Sequence, residues 1–173
     1  AAKQAQKRIG LVTTAQIYDA SPAAFSVHAK SRRDAQSIVD QYLALEPDVL
    51  LGGGRDFFLP KSAGGRRTDD KDVLAALAAK GYAILRDPQQ LRDSKAAKVV
   101  GLFSDKHLEL EIDRNPAREP TLADMTRAAL QALTRGAGSE SDRGFVLFVE
   151  TEQTDDAGHH NDVASLIRAL WAF

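Results

Sequence analysis

Glu150, Asp155 and His159 are the residues of this chain whose types and spacing point most directly to chemistry. Glu150 closes an apolar run over 145–149, and Asp155 and His159 follow it four positions apart. A four-residue interval puts two side chains on one side of a helical turn. A carboxylate oxygen and an imidazole nitrogen so placed suit a divalent metal that accepts both, so a metal site is the leading reading. The plainer reading is a capped, solvated turn, because Asp156, Asn161 and Asp162 are all good N-cap residues. The run before Glu150 is too continuously apolar for a half-exposed strand. It predicts a strand buried on both faces, as in a parallel α/β sheet, with its carboxylate at the C-terminal end where open α/β sheets bind ligands.

A second constellation lies near the N-terminus. Ser21-Pro22 predicts a helix start, with the Ser21 hydroxyl as N-cap and proline at the first helical position. Residues 23–31 then read as a short amphipathic helix ending at Arg32-Arg33, with Asp19 just ahead of it. Further on come a triple glycine, Gly52 to Gly54, inside the stretch 47–60, then Gly64-Gly-Arg-Arg-Thr68 and Gly101-Leu-Phe-Ser104. The triple glycine follows an apolar run but matches neither the dinucleotide nor the nucleotide phosphate-loop pattern, so it reads as a tight turn.

Taken in order and at these spacings, these segments resemble the alkaline phosphatase family over nearly the whole chain. The Glu-x4-Asp-x3-His pattern at 150–159 and the Asp-x-Ser-Pro-Ala-Ala pattern with its following Ser-Arg are fairly specific together. The resemblance implies a metal-dependent phosphomonoesterase that forms a phosphoserine intermediate beside two Zn²⁺ and one Mg²⁺. It implies that Glu150 and Ser21 are ligands of the magnesium, and that Asp155 and His159 are two ligands of one zinc. Arg32 matches the phosphate-binding arginine, whose planar fork makes bidentate bonds to phosphate oxygens. Asp19 matches a position that holds water on the magnesium, and Asp156 beside it would make that third metal site more anionic and better suited to Mg²⁺. Each residue also has a duller reading: Ser21 as a cap, Arg32 as a complement to a helix C-terminus, Glu150 as an acceptor of backbone N–H groups where the strand ends. His28 reads as a structural histidine on the helix, His107 as a loop residue without ligand-like neighbours, and His160 as pointing away from any metal that His159 holds.

Where many relatives have Gly-Gly or Gly-Ala after the magnesium glutamate, this chain has Thr151-Glu152, and Asp156 replaces the usual His, Lys or Trp. Either Thr151 or Glu152 could alter contacts to the leaving group. The family's nucleophilic serine and a shared metal aspartate lie upstream of the region matched by residues 9–33, and a second Asp-His pair and another histidine lie downstream of 162–173. No catalytic nucleophile is therefore expected in this chain, which reads as one partial α/β domain over 1–173 that is inactive alone. Two rivals are a phosphodiesterase or sulfatase of the same metallohydrolase superfamily, and a noncatalytic binding or assembly domain that has kept the fold.

The elements that must position these residues follow from the apolar pattern. Runs at 9–12, 49–51, 82–85, 99–103 and 145–149 read as strands, with helical patterns at 35–45, 71–80, 121–133 and 162–173 between or after them. Thr121 with Asp124 forms a near capping box, and Gly81 closes the helix before it. The expected architecture is α/β, a three-layer αβα sandwich with a largely parallel central sheet, incomplete at both chain ends. The stretches 60–70 and 109–120 read as surface loops, either mobile connectors or loops near a site mouth, and 136–142 as a flexible linker.

Length and composition fit such a domain: 173 residues, 43% of them hydrophobic, support a proper core. Lys and Arg number 23 against 24 Asp and Glu, with no basic stripe interleaved with aromatics, which argues against nucleic acid as a partner. No apolar run reaches bilayer-spanning length. The chain has no cysteine, so neither a disulfide framework nor a thiol nucleophile is available. The N-terminus lacks the apolar core of a signal peptide and starts as though cut from something longer. By resemblance the expected substrate is a small phosphate monoester and the expected location periplasmic or secreted, while uncovered sheet edges predict a homo-oligomer.

Overall fold

The computed structural model describes residues 1–135 and 143–172. Within them, five strands form one wholly parallel sheet: β1 (Arg8–Gln16), β2 (Val49–Gly53), β3 (Ala83–Leu85), β4 (Val99–Leu102) and β5 (Phe145–Glu150), in the order β3-β4-β2-β1-β5. Seven helices accompany it: α1 (Ala20–Ser26), α2 (Ala35–Leu45), α3 (Val73–Ala79), α4 (Pro88–Asp93), α5 (Leu122–Leu133), α6 (Gln153–His159) and α7 (Val163–Trp171). Alternating residues of the central strands feed two cores. Leu11, Leu50 and Val100 face α1, α2 and α3 through Ala23, Ile38, Tyr42 and Leu77. Val12, Leu51 and Val99 face α4 and α5 through Leu91, Met125 and Leu133. The three-layer αβα expectation holds, because strands buried on both faces need helices on both. The linker expected at 136–142 lies outside the described residues.

Several local expectations are corrected. β5 is not buried on both faces: it pairs only with β1 among the described residues, and Phe145 and Val146 are 36% and 47% exposed. An apolar run records affinity for a core without saying that both sides are covered. The cap of α1 is Asp19, whose carboxylate accepts from the Ala20 N–H at 2.6 Å, so Ser21 and Pro22 lie inside the first turn. The helix ends at Ser26, and His28 and Arg32 sit on an exposed loop rather than on or at the end of a helix. Gln41 of α2 holds that loop, accepting from the His28 N–H at 3.0 Å and donating to its carbonyl at 2.8 Å. The helix α4, absent from the sequence reading, begins with Asp87 accepting from the Gln90 N–H and proline at the first helical position.

The triple glycine is a strand end rather than a turn. Gly52 and Gly53 belong to β2, and only Gly54 takes a left-handed backbone, φ 87°. A Cβ on Gly53 would stand 1.8 Å from the Lys106 carbonyl oxygen, which also accepts from the Gly54 N–H at 2.8 Å. Only glycine lets the 104–107 loop lie this close to the end of the sheet.

The stretch 60–70 is a surface loop pinned by one buried cation. Arg67 is fully buried, donating to Asp69 through Nε (2.9 Å) and Nη2 (2.8 Å), to Asp40 of α2 (2.7 Å) and to the Phe57 carbonyl (3.2 Å). Losing Arg67 takes the donor from the Phe57 carbonyl and from two carboxylates, but Asp40 and Asp69 are 39% and 27% exposed and can rehydrate. Arg67→Met should therefore lower unfolding free energy by roughly 1–3 kcal/mol. Chemical denaturation of the whole protein reads this, and a midpoint unchanged from wild type would contradict the clamp.

Candidate functional site

The C-terminal end of the sheet gathers most of the residues singled out above. β1 and β5 lie side by side with Thr13 opposite Glu150, and the Thr13 hydroxyl donates to Glu150 Oε2 at 2.8 Å. Thr13 is fully buried, and its hydroxyl also accepts from the Ala15 N–H at 2.9 Å. The next residue, Thr14, accepts from the Glu152 N–H at 2.9 Å, fixing the turn that follows β5. This threonine pair was missed in the sequence, although two hydroxyls at the end of a buried strand are a readable polar signal.

The segment after β1 supplies the next group. Asp19 Oδ1 accepts from both the Ala20 N–H and Arg32 Nη2, each at 2.6 Å. The Arg32 side chain is 65% exposed against 15% for Asp19, so a buffered carboxylate holds an arginine that faces solvent. Among the described residues, one of its five guanidinium donors is engaged, by Asp19. Ser21 sits in the first turn of α1, where its hydroxyl is not the cap. Phe25 of that helix stacks against Phe148 of β5 with ring centroids 4.9 Å apart, which ties the helix bearing Ser21 to the strand bearing Glu150.

On α6, Asp155 Oδ2 and His159 Nε2 are 3.5 Å apart, with both side chains about three-quarters exposed. Donors bound tetrahedrally at ~2.0–2.1 Å to one Zn²⁺ stand ~3.3 Å apart. The pair therefore fits two corners of a zinc site. Two donors are fewer than zinc needs, and among the described residues no group of three or more His, Cys, Asp and Glu side chains could hold a metal ion. His160 turns its Nδ1 to the Asp156 carbonyl at 2.8 Å and lies 3.4 Å from the Asp156 carboxylate, not toward Asp155.

His107 corrects the sequence reading. Its Nδ1 lies 3.4 Å from Glu152 Oε2, and its pKa is raised by that hydrogen bond, against burial, with the charges of Glu152, Asp19 and Asp156 adding. The loop carrying it is fastened to α6: Gln153 donates to the Glu109 carbonyl at 2.6 Å and accepts from the Glu111 N–H at 3.1 Å. The stretch 109–120 is thus a loop at the site mouth on this side. Sequence distance hid the contact, since His107 and Glu152 come from opposite ends of the chain's second half.

Comparison with known proteins bears on the chain as a whole. The family model described as Alkaline phosphatase matches residues 1–173. An alkaline phosphatase of Schizosaccharomyces pombe is 36% identical over 171 residues, covering 94% of this chain and 32% of that protein. The solved alkaline phosphatase of Thermus thermophilus superposes with a TM-score of 0.88 at 40% identity, over 99% of this chain and 35% of that one. A mutant of the alkaline phosphatase from the Antarctic bacterium TAB5, solved with Mg bound in its M3 site, superposes with a TM-score of 0.73 at 26% identity, over 99% and 46%. The chain spans about a third of the length of the first curated relatives that it matches.

Proposed function

This chain belongs to the alkaline phosphatase family, a family of metal-dependent phosphatases, and on that premise we propose that it contributes the phosphate grip and part of the metal site of a phosphomonoesterase. The observation that carries the reading is that the Asp19–Arg32 pair follows β1 and Glu150 ends β5, two adjacent parallel strands whose C-terminal ends lie on the same edge of the sheet. Arg32 grips two non-bridging oxygens of a phosphate monoester, oriented by Asp19. Glu150, Ser21 and water ordered by Asp19 offer the hard oxygen donors that suit Mg²⁺, and Asp155 with His159 offers the mixed donors that suit Zn²⁺. When bound, such cations stabilise charge on the attacking and leaving oxygens of an in-line displacement. The Thr13 hydroxyl holds the Glu150 carboxylate in one orientation, and Asp156 adds negative charge near His107. On this reading the nucleophilic serine and the remaining ligands are not supplied by the matched stretch, which spans about a third of the curated relatives' length.

The whole protein should hydrolyse a chromogenic aryl phosphate monoester in preference to the matched diester and sulfate. A preference for either of those would replace the phosphomonoesterase reading with a related one. The 173-residue chain alone should show no turnover with Zn²⁺ and Mg²⁺ added. It should also associate, since β5 is an edge strand among the described residues and Val163, Leu170 and Trp171 of α7 are exposed. Light scattering and an aryl phosphate assay on one preparation test both expectations. A stable monomer would count against the association, and genuine turnover against the division of the site.

A further inference from the structure

The groove that holds Arg32 has a volume of about 520 Å³, and its walls include Asp19, Arg33, Phe57, Arg66 and His107. Three arginines and a histidine face one carboxylate there, more positive charge than a single phosphate dianion calls for. Asp19 engages Arg32, and Glu152 engages His107. Arg66 is differently placed. Its guanidinium lies over the Phe57 ring, 5.0 Å from the centroid, and its backbone N–H donates to the Asp56 carbonyl at 2.7 Å.

Beneath it lies a buried anchor. Asp56 is 4% exposed, and its Oδ1 accepts from the Tyr18 hydroxyl at 2.6 Å. Its Oδ2 is buried without a hydrogen-bond partner among the described residues, and Arg66 Nη1 stands 3.5 Å from it. That separation attracts but is too long for a hydrogen bond, so the donors of Arg66 remain available. The Arg66 side chain is 61% exposed, within reach of a ligand. A cation stacked on an aromatic ring and drawn toward a buried carboxylate has fewer conformations to lose when an anion docks.

We propose that Arg66 is a specificity-determining residue of this groove, binding a second anionic group, carboxylate or phosphate, on the leaving group of the phosphate monoester. The inference rests on the phosphomonoesterase reading above, with the reacting phosphate on Arg32. Planar guanidinium chemistry suits either oxyanion, and the Phe57 ring offers an apolar face to the body of the leaving group.

The test uses the whole protein at low ionic strength and two nearly isosteric esters, 4-carboxyphenyl phosphate and 4-carbamoylphenyl phosphate. One charge-assisted contact at an exposed site should make the carboxylate ester better in kcat/KM by about ten-fold. Arg66→Ala should abolish that preference through a higher KM for the carboxylate ester, leaving the carbamoyl ester within about two-fold of wild type. Arg66→Lys, which keeps the charge above Asp56, should restore part of the preference and guards against a folding effect in the alanine variant. Equal efficiency on both esters in the wild type, or an equal loss on both in Arg66→Ala with none regained in Arg66→Lys, would overturn the assignment of Arg66 alone. Turnover of neither ester would overturn the phosphomonoesterase reading and this assignment with it.

Discussion

Replacing Asp155 or His159 by alanine in the whole protein is expected to lower zinc occupancy and phosphatase activity together. The two donors stand 3.5 Å apart on one side of α6, close to the ~3.3 Å that two ligands of one tetrahedral zinc adopt. Removing partners that merely orient metal ligands lowers affinity about 10–100-fold, so removing a ligand itself should exceed about 100-fold. His160→Ala is the control, because its ring engages Asp156 instead. If α6 ends in nothing more than a solvated turn, neither alanine variant should change metal content. Each would then lose at most an exposed side-chain pair, within about 1 kcal/mol of stability. Equal zinc in all three variants would remove Asp155 and His159 from the metal site.

Arg32→Ala is the second large effect. A bidentate guanidinium contact comprises two charge-assisted hydrogen bonds. Discounted for the exposure of the Arg32 side chain, they should be worth roughly 2–3 kcal/mol, about 30- to 150-fold in kcat/KM. Inhibition by inorganic phosphate should weaken by a similar factor, since phosphate uses the same grip as substrate. Zinc and magnesium content should stay at wild-type levels, because no ligand is touched. A variant with unchanged phosphate inhibition would return Arg32 to the role of a loop residue that only balances Asp19.

The parallel sheet was legible in the sequence because its strands are apolar runs separated by helical periodicity, and the helix starting at Thr121 was legible because its cap is. Where reading went astray, a local signal had two meanings. Ser21-Pro22 has the form of a cap and first helical residue, yet the Asp19 carboxylate accepts from the Ala20 N–H and its carbonyl accepts from the Ala23 N–H, which starts the helix upstream. The apolar run of β5 fits a buried strand, but burial depends on what lies beyond it, and β1 is its one partner among the described residues. The stretch 60–70 looks like surface from its Gly, Lys, Arg and Asp, and nothing local marks Arg67 as the buried member of the Arg66-Arg67 pair. Asp40, on a helix before it, joins Asp69 and the Phe57 carbonyl in compensating that burial.

The candidate site divides along the same line. Asp155 with His159 was visible as spacing, while Asp19 and Arg32 were singled out by resemblance and their ion pair was not. Pairs that only the fold creates, Thr13 with Glu150 and His107 with Glu152, were not. Glu152 stood out as a departure from the family pattern before its partner was known. The close approach of the 104–107 loop to Gly53 explains how that partner arrives, since a side chain at Gly53 would push the loop away.

The most direct test of the account is an anomalous difference map recorded at the zinc edge from crystals of the whole protein. The expected result is a peak bonded at about 2.0–2.2 Å to an Asp155 carboxylate oxygen and a His159 imidazole nitrogen. Zinc found only elsewhere, with Asp155 and His159 still paired to each other in solvent, would contradict it.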